Sequence, residues 1–88
     1  SRYRMTLDEQ QQIIEMGRNA EALKQNPALE ACMDHTLETL FMQWASSAPD
    51  EYTERDQIWA TAQALKAFKN TLDAFIESGM IERKYKES

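Results

Sequence analysis

Residues 53–78 read TERDQIWATAQALKAFKNTLDAFIES, a run with no glycine and no proline. It is rich in Ala, Leu, Lys, Gln and Glu, residues that lose little freedom in a helix, so nothing in it resists that conformation. Thr53 with Asp56 three residues on resembles a capping box, with Asp where Glu or Gln is usual, and Gly79 offers a left-handed stop. At about 100° per residue, Ile58, Ala62, Leu65, Phe68, Leu72, Phe75 and Ile76 form one wide apolar stripe. A second line recurs at spacings of four and three: Thr53, Gln57, Ala60, Ala64, Ala67, Thr71, Ala74 and Ser78. Those are seam spacings, and the side chains on them are mostly small. One side of this helix calls for bulky partners, while the other permits close backbone approach. Gln57, Ala60, Ala64, Ala67, Thr71 and Ala74 are therefore the candidates for self-association.

Two shorter helices are expected upstream. Thr6-Leu7-Asp8-Glu9 is a capping box, with acids in the first turn to suit the helix dipole, and opens a helix over about 7–25. Its apolar side is Ile13, Met16, Gly17, Ala20 and Leu23, with Ile14 on the flank. Gly17 costs about 1 kcal/mol against Ala in a helix interior. Either it allows close packing, for instance against the alanine line, or it breaks the segment into two short helices. Asn26-Pro27 is a restart, Asn as N-cap and Pro at the first helical position, for a helix over about 27–45. Leu29, Met33, Thr36, Leu37, Leu40 and Trp44 share one face of it, with Cys32 and Phe41 at the margins. Glu30, Asp34 and Glu38 form an acidic row at i, i+4 and i+8, with no Lys or Arg in that helix to neutralise it. The row is either a solvated face or a docking ridge for a basic partner.

The ASSAPDE segment, residues 45–51, carries the strongest turn chemistry. It joins the second and third helices into an antiparallel hairpin. The third helix can start earlier than Thr53, from Ser47 or Asp50. Tyr52 and Trp59 share a side of it off the main stripe and are placed over the loop or against another helix; the other reading is an exposed aromatic patch. The expected fold is all-α, with three helices and a core of Leu29, Met33, Leu37, Leu40, Trp44, Ile58, Leu65, Phe68, Leu72, Phe75 and Ile76. An N-terminal tail is expected over 1–6, its first four residues either native or appended, then one helical domain over 7–81. After Gly79, Met80 and Ile81 fold back on the last turn, and 82–88, ERKYKES, form a frayed, charged tail whose basic cluster Arg83, Lys84 and Lys86 is either solvated or a weak anchor for an acidic partner.

Chemistry-bearing motifs are scarce. Cys32 and His35 are the only Cys and His, and a Cys-x-x-His pair supplies two of the three or four ligands a transition metal needs. With glycines only at 17 and 79 there is no phosphate loop. No catalysis, cofactor or metal is expected. Fifteen acids against ten bases give a net charge of −5, spread over both halves, which disfavours nucleic acid and anionic membrane as partners. A lone cysteine fits a reducing cytoplasm, and no apolar run approaches membrane-spanning length.

Asn26-Pro27-Ala28-Leu29, Trp44, Ala48-Pro49-Asp50, Arg55, Trp59 and Gly79 together resemble a group of short helical proteins encoded in the structural gene clusters of tailed bacteriophages and prophages. The likeness spans roughly 18–80 and consists of packing and turn residues, so no catalytic or binding residue is carried over. It implies a bacterial or viral origin, in the host cytoplasm or on the virion, and a place near head or tail assembly. The expected function is a non-enzymatic, homodimeric or higher-oligomeric interaction protein, an assembly, scaffold or connector accessory. Its docking candidates for a basic protein partner are Glu30, Asp34 and Glu38. Two alternatives are an acidic inhibitor of a host or phage nucleic-acid enzyme and a DNA-packaging accessory resembling a terminase small subunit.

Overall fold

The structure is a computed structural model and describes residues 5–88. The expected tail over 1–6 lies outside the described residues in its first four positions. Three α-helices follow in order: α1 at Leu7–Lys24, α2 at Pro27–Ser46 and α3 at Tyr52–Glu87. The fold is all-α.

Local chemistry explains most of the helix ends. The Thr6 hydroxyl accepts from the Glu9 amide at 3.1 Å, and the Glu9 carboxylate accepts from the Thr6 amide at 3.3 Å, a complete capping box. The Asn26 side chain accepts from the Ala28 amide at 2.8 Å, with Pro27 opening α2 behind it. At α3 the cap differs from expectation. The Glu51 amide donates to the Ala48 carbonyl at 3.0 Å, and the Glu51 carboxylate accepts from the Ala48 amide at 3.1 Å. That closed turn delivers the chain into helix at Tyr52, so Thr53 sits inside the first turn and does not cap it.

The far end of α3 corrects the sequence reading more sharply. The helix does not stop at Gly79; it continues to Glu87, and no glycine has positive φ. Residues 80–87, MIERKYKE, contain good helix formers and no proline, and Lys84 and Lys86 in the last turn suit the negative end of the helix dipole. Met80 and Ile81 therefore do not fold back, and the expected tail is helical. Gly79 serves packing. A Cβ built on Gly17 would stand 2.8 Å from the Gly79 Cα and 2.9 Å from the Phe75 carbonyl oxygen. One built on Gly79 would stand 2.9 Å from the Gly17 Cα. The two helices cross with backbone against backbone, which only residues lacking a side chain permit.

The chain divides into two compact units. The first combines α1 with α3 from Thr71 onward; the second is Asn26–Asn70. In the first, Gln10 donates to Glu82, Gly17 meets Gly79, and Lys24 pairs with Asp73, so α1 and α3 run antiparallel. Ile14, 2% exposed, and Ala20 are buried there with Leu72, Gly79 and Glu82. The glycine crossing turns α1 so that residues three and four positions from Gly17 face the partner. Met16 and Leu23, expected on the buried side, lie at its edge and are exposed.

The second unit is the expected α2–α3 hairpin. Met33 is buried, and Leu29, Leu40, Ile58, Ala62 and Leu65 are half-buried. On α3 the covered positions are Arg55, Ile58, Ala62, Leu65, Leu72, Ile76, Gly79 and Arg83, with Glu82 buried beside the last two. That is a seam of alternating three and four spacings, interrupted at Lys69. Four residues expected in the core stand too far round to be covered by one partner helix: Leu37, Trp44, Phe68 and Phe75 are 39–46% exposed. The alanine line Gln57, Ala60, Ala64, Ala67, Thr71 and Ala74 is exposed throughout, so Gly17 packs on Gly79 and not on that line.

Gly79→Ala is expected to lower stability. Separating two backbones costs about 1–3 kcal/mol, more than the helix-propensity gain of about 1 kcal/mol. Urea unfolding followed by circular dichroism measures it; a raised midpoint would show that the helices do not need the close crossing. Leu72→Ala, at a buried site, should cost about 2–5 kcal/mol in the same experiment.

Candidate interaction surface

The hairpin turn is held by a side chain that the sequence did not advertise. Arg55 donates from Nε to the Ser47 hydroxyl at 2.7 Å and from Nη2 to the Ser47 carbonyl at 3.0 Å. The Ser47 hydroxyl donates in turn to the Trp44 carbonyl at 2.6 Å, at the C-terminus of α2. The same guanidinium lies 4.3 Å from the centroid of the Trp44 ring. One planar cation thus ties the first turn of α3 to the last turn of α2 and leaves the outer side of the indole open. The spacing of Arg55 from Ser47 and Trp44 suggests this only once the turn geometry is known.

The stack fixes which side of the hairpin these residues occupy. Trp59 follows Arg55 by one helical turn, and Phe41 and Leu37 precede Trp44 by about one and two. All of them remain exposed: Trp59 at 64%, Phe41 at 71%. Trp59 and Tyr52 were expected to pack over the loop or another helix; both are exposed. The acidic row runs along the same side of α2, since Phe41 lies three residues beyond Glu38. Glu30, Asp34 and Glu38 are exposed. None of the three forms an ion pair with a described residue, and the described pair Lys24–Asp73 belongs to the other unit. Carboxylates beside exposed aromatic and aliphatic side chains make a surface suited to a partner with both apolar and basic groups.

The other side of the hairpin is polar. An open groove there is lined by Leu40, Gln43, Glu51, Glu54, Ile58 and Thr61 among others. Within it, Glu54 and Glu51 share a hydrogen bond. The hydrogen bond to Glu51, and then its negative charge, hold the Glu54 carboxyl above the usual carboxylate range. Glu51 is held below that range by the same bond and then by the Ala48 amide; desolvation opposes them, and the charge of Arg55 adds a smaller lowering. The pair belongs to the turn into α3, and its i, i+3 spacing at a helix start was the available sequence signal.

Cys32 and His35 are both exposed. Among the described residues no group of three or more His, Cys, Asp or Glu side chains is placed to hold a metal ion. Among the same residues no helix is long and apolar enough to cross a membrane. Comparison with known proteins finds no matching family model, and no significant match among characterised proteins or solved structures.

The carboxyl pair makes stability depend on pH with a defined sign. Glu51, depressed, contributes stability above its ordinary range that is lost as pH falls through its lowered value; Glu54, raised, contributes below its ordinary range and loses it as pH rises. The negative charge of Glu51 opposes ionisation of Glu54. Glu54→Gln keeps a donor toward Glu51 and removes that repulsion. Its melting temperature should exceed wild type near pH 7, with the gain vanishing near pH 4. Equal shifts at both pH values, in thermal melts by circular dichroism, would rule out an interaction between the two carboxyls.

Proposed function

We propose that this chain is a non-enzymatic helical interaction protein that works in a self-associated form and engages a basic protein partner through α2. The reading rests on the balance of apolar surface. The buried apolar side chains are Ile14, Ala20, Met33 and Leu72, whereas large apolar residues on every helix, from Leu7 to Tyr85, are exposed. A chain of 88 residues with so little interior gains stability by covering those side chains with another surface. The unpaired acidic row beside Phe41 and Trp59 supports a partner of opposite charge. The likeness to helical proteins of tailed-phage structural clusters adds assembly, scaffold or connector work as the setting, in the bacterial cytoplasm or on the virion.

A second reading draws on the same row. Carboxylates at regular spacing can stand in for phosphates, as an inhibitor of a nucleic-acid enzyme would use them. The diffuse net charge of −5 sets duplex packaging, the third possibility, behind both.

Light scattering on the purified chain is expected to give the mass of a dimer or a larger closed oligomer; a monomer at all accessible concentrations would end the self-association reading. Ala67→Leu separates one interface from others. Ala67 is exposed in the single chain. If the alanine line is buried between copies, the added bulk costs about 1–3 kcal/mol and weakens association roughly tenfold or more. Unchanged mass on dilution would put the contact elsewhere. Glu30→Lys with Glu38→Lys should abolish capture of the basic partner while leaving the helical dichroism intact.

A further inference from the structure

We propose that the C-terminal part of α3 pairs antiparallel with the same segment of a second copy, through the side carrying Asp73, Ile76, Glu77, Met80, Ile81 and Lys84. This rests on the self-association reading and names the surface that serves it. In this unit α1 covers the Leu72, Gly79 and Glu82 side of α3. It leaves an open groove along the remaining apolar residues, with Met80 51% and Ile81 45% exposed.

The charge order along that groove identifies its occupant. Acids stand first, Asp73 and Glu77; apolar residues fill the middle; the bases Arg83 and Lys84 follow, with one further acid, Glu87, in the last turn. A partner of one charge would be repelled at one end. A parallel copy would set acid on acid and base on base. A copy related by a two-fold axis sets Glu77 of each against Lys84 of the other, because an isologous contact makes every pairing twice; Glu87 falls beyond that pairing, toward the Asp73 end. Centring the axis between Met80 and Ile81 brings each of those residues onto the other and places Glu77 beside the second copy's Lys84, two times over. Asp73 is already engaged by Lys24, so discrimination falls to Glu77 and Lys84. Neither of these makes a side-chain hydrogen bond or ion pair with a described residue. The apolar middle supplies affinity, and the charges select orientation.

The test is a charge exchange on the full chain, followed by light scattering across a dilution series. Glu77 and Lys84 are exposed helical positions, and Lys and Glu are both good helix formers, so Glu77→Lys and Lys84→Glu should keep the wild-type dichroism. Each variant alone faces like charges twice and should raise the dissociation constant at least about tenfold. Mixed in equal amounts, the two should recover a heterodimer at wild-type concentrations, since both pairings are then opposite in sign. Wild-type-like association of each single variant, or failure of the mixture to recover, overturns this surface and leaves the self-association reading standing. A monomeric wild-type chain overturns both.

Discussion

Two helices packed side by side share one seam, and each has most of its circumference left over. Both units of this protein are such pairs, so the constraint reaches every side chain outside the seam. Ile14, Ala20, Leu72 and Met33 lie where partner helices meet and are buried. Phe68 and Phe75 stand one step round the same helix and remain nearly half exposed. Within each unit, α3 has one described helix packed against it, α1 in the first and α2 in the second. Apolar exposure within each unit therefore follows from there being two helices in it.

How closely each pair packs is decided by different chemistry. Between α1 and α3 the contact is set by the absence of side chains, with Gly17 and Gly79 bringing backbones together and polar or charged pairs, Gln10–Glu82, Gln11–Lys86 and Lys24–Asp73, at intervals along the crossing. Between α2 and α3 ordinary aliphatic packing at Leu40, Ile58 and Leu65 is closed at the turn by Arg55, which bonds Ser47 and stacks on Trp44. The first arrangement rotates α1 until Met16 and Leu23 face outward. The second holds an aromatic and acidic side open beside Phe41 and Trp59. Each leftover surface is the by-product of the contact beside it.

Much of the architecture was legible because it is local. Thr6 and Glu9 cap α1, and Asn26-Pro27 starts α2, through hydrogen bonds spanning two or three residues. The hairpin follows from turn residues between two helical patterns. The acidic row was legible as well, since i, i+4 spacing on a helix needs no tertiary information. Other features were not. Gly79 has the same composition signal whether it ends a helix or lets another helix approach, and the difference lies in Gly17, sixty-two positions away. The alanine line has seam spacing, yet the seam actually used runs through Ile58, Leu65 and Leu72, because bulky side chains gain more from burial than alanine does. The Arg55 bridge escaped because it depends on the geometry of a turn.

By itself the amino-acid order determined that this chain is helical, where its first two helices begin, and that α2 carries unneutralised acid, since each of these depends on neighbours a turn or less away. Only the tertiary structure decided that the third helix passes through Gly79, which side of α1 is inside, and which apolar residues are left facing outward. Those outcomes turn on how near two backbones can come, and distant residues settle that jointly.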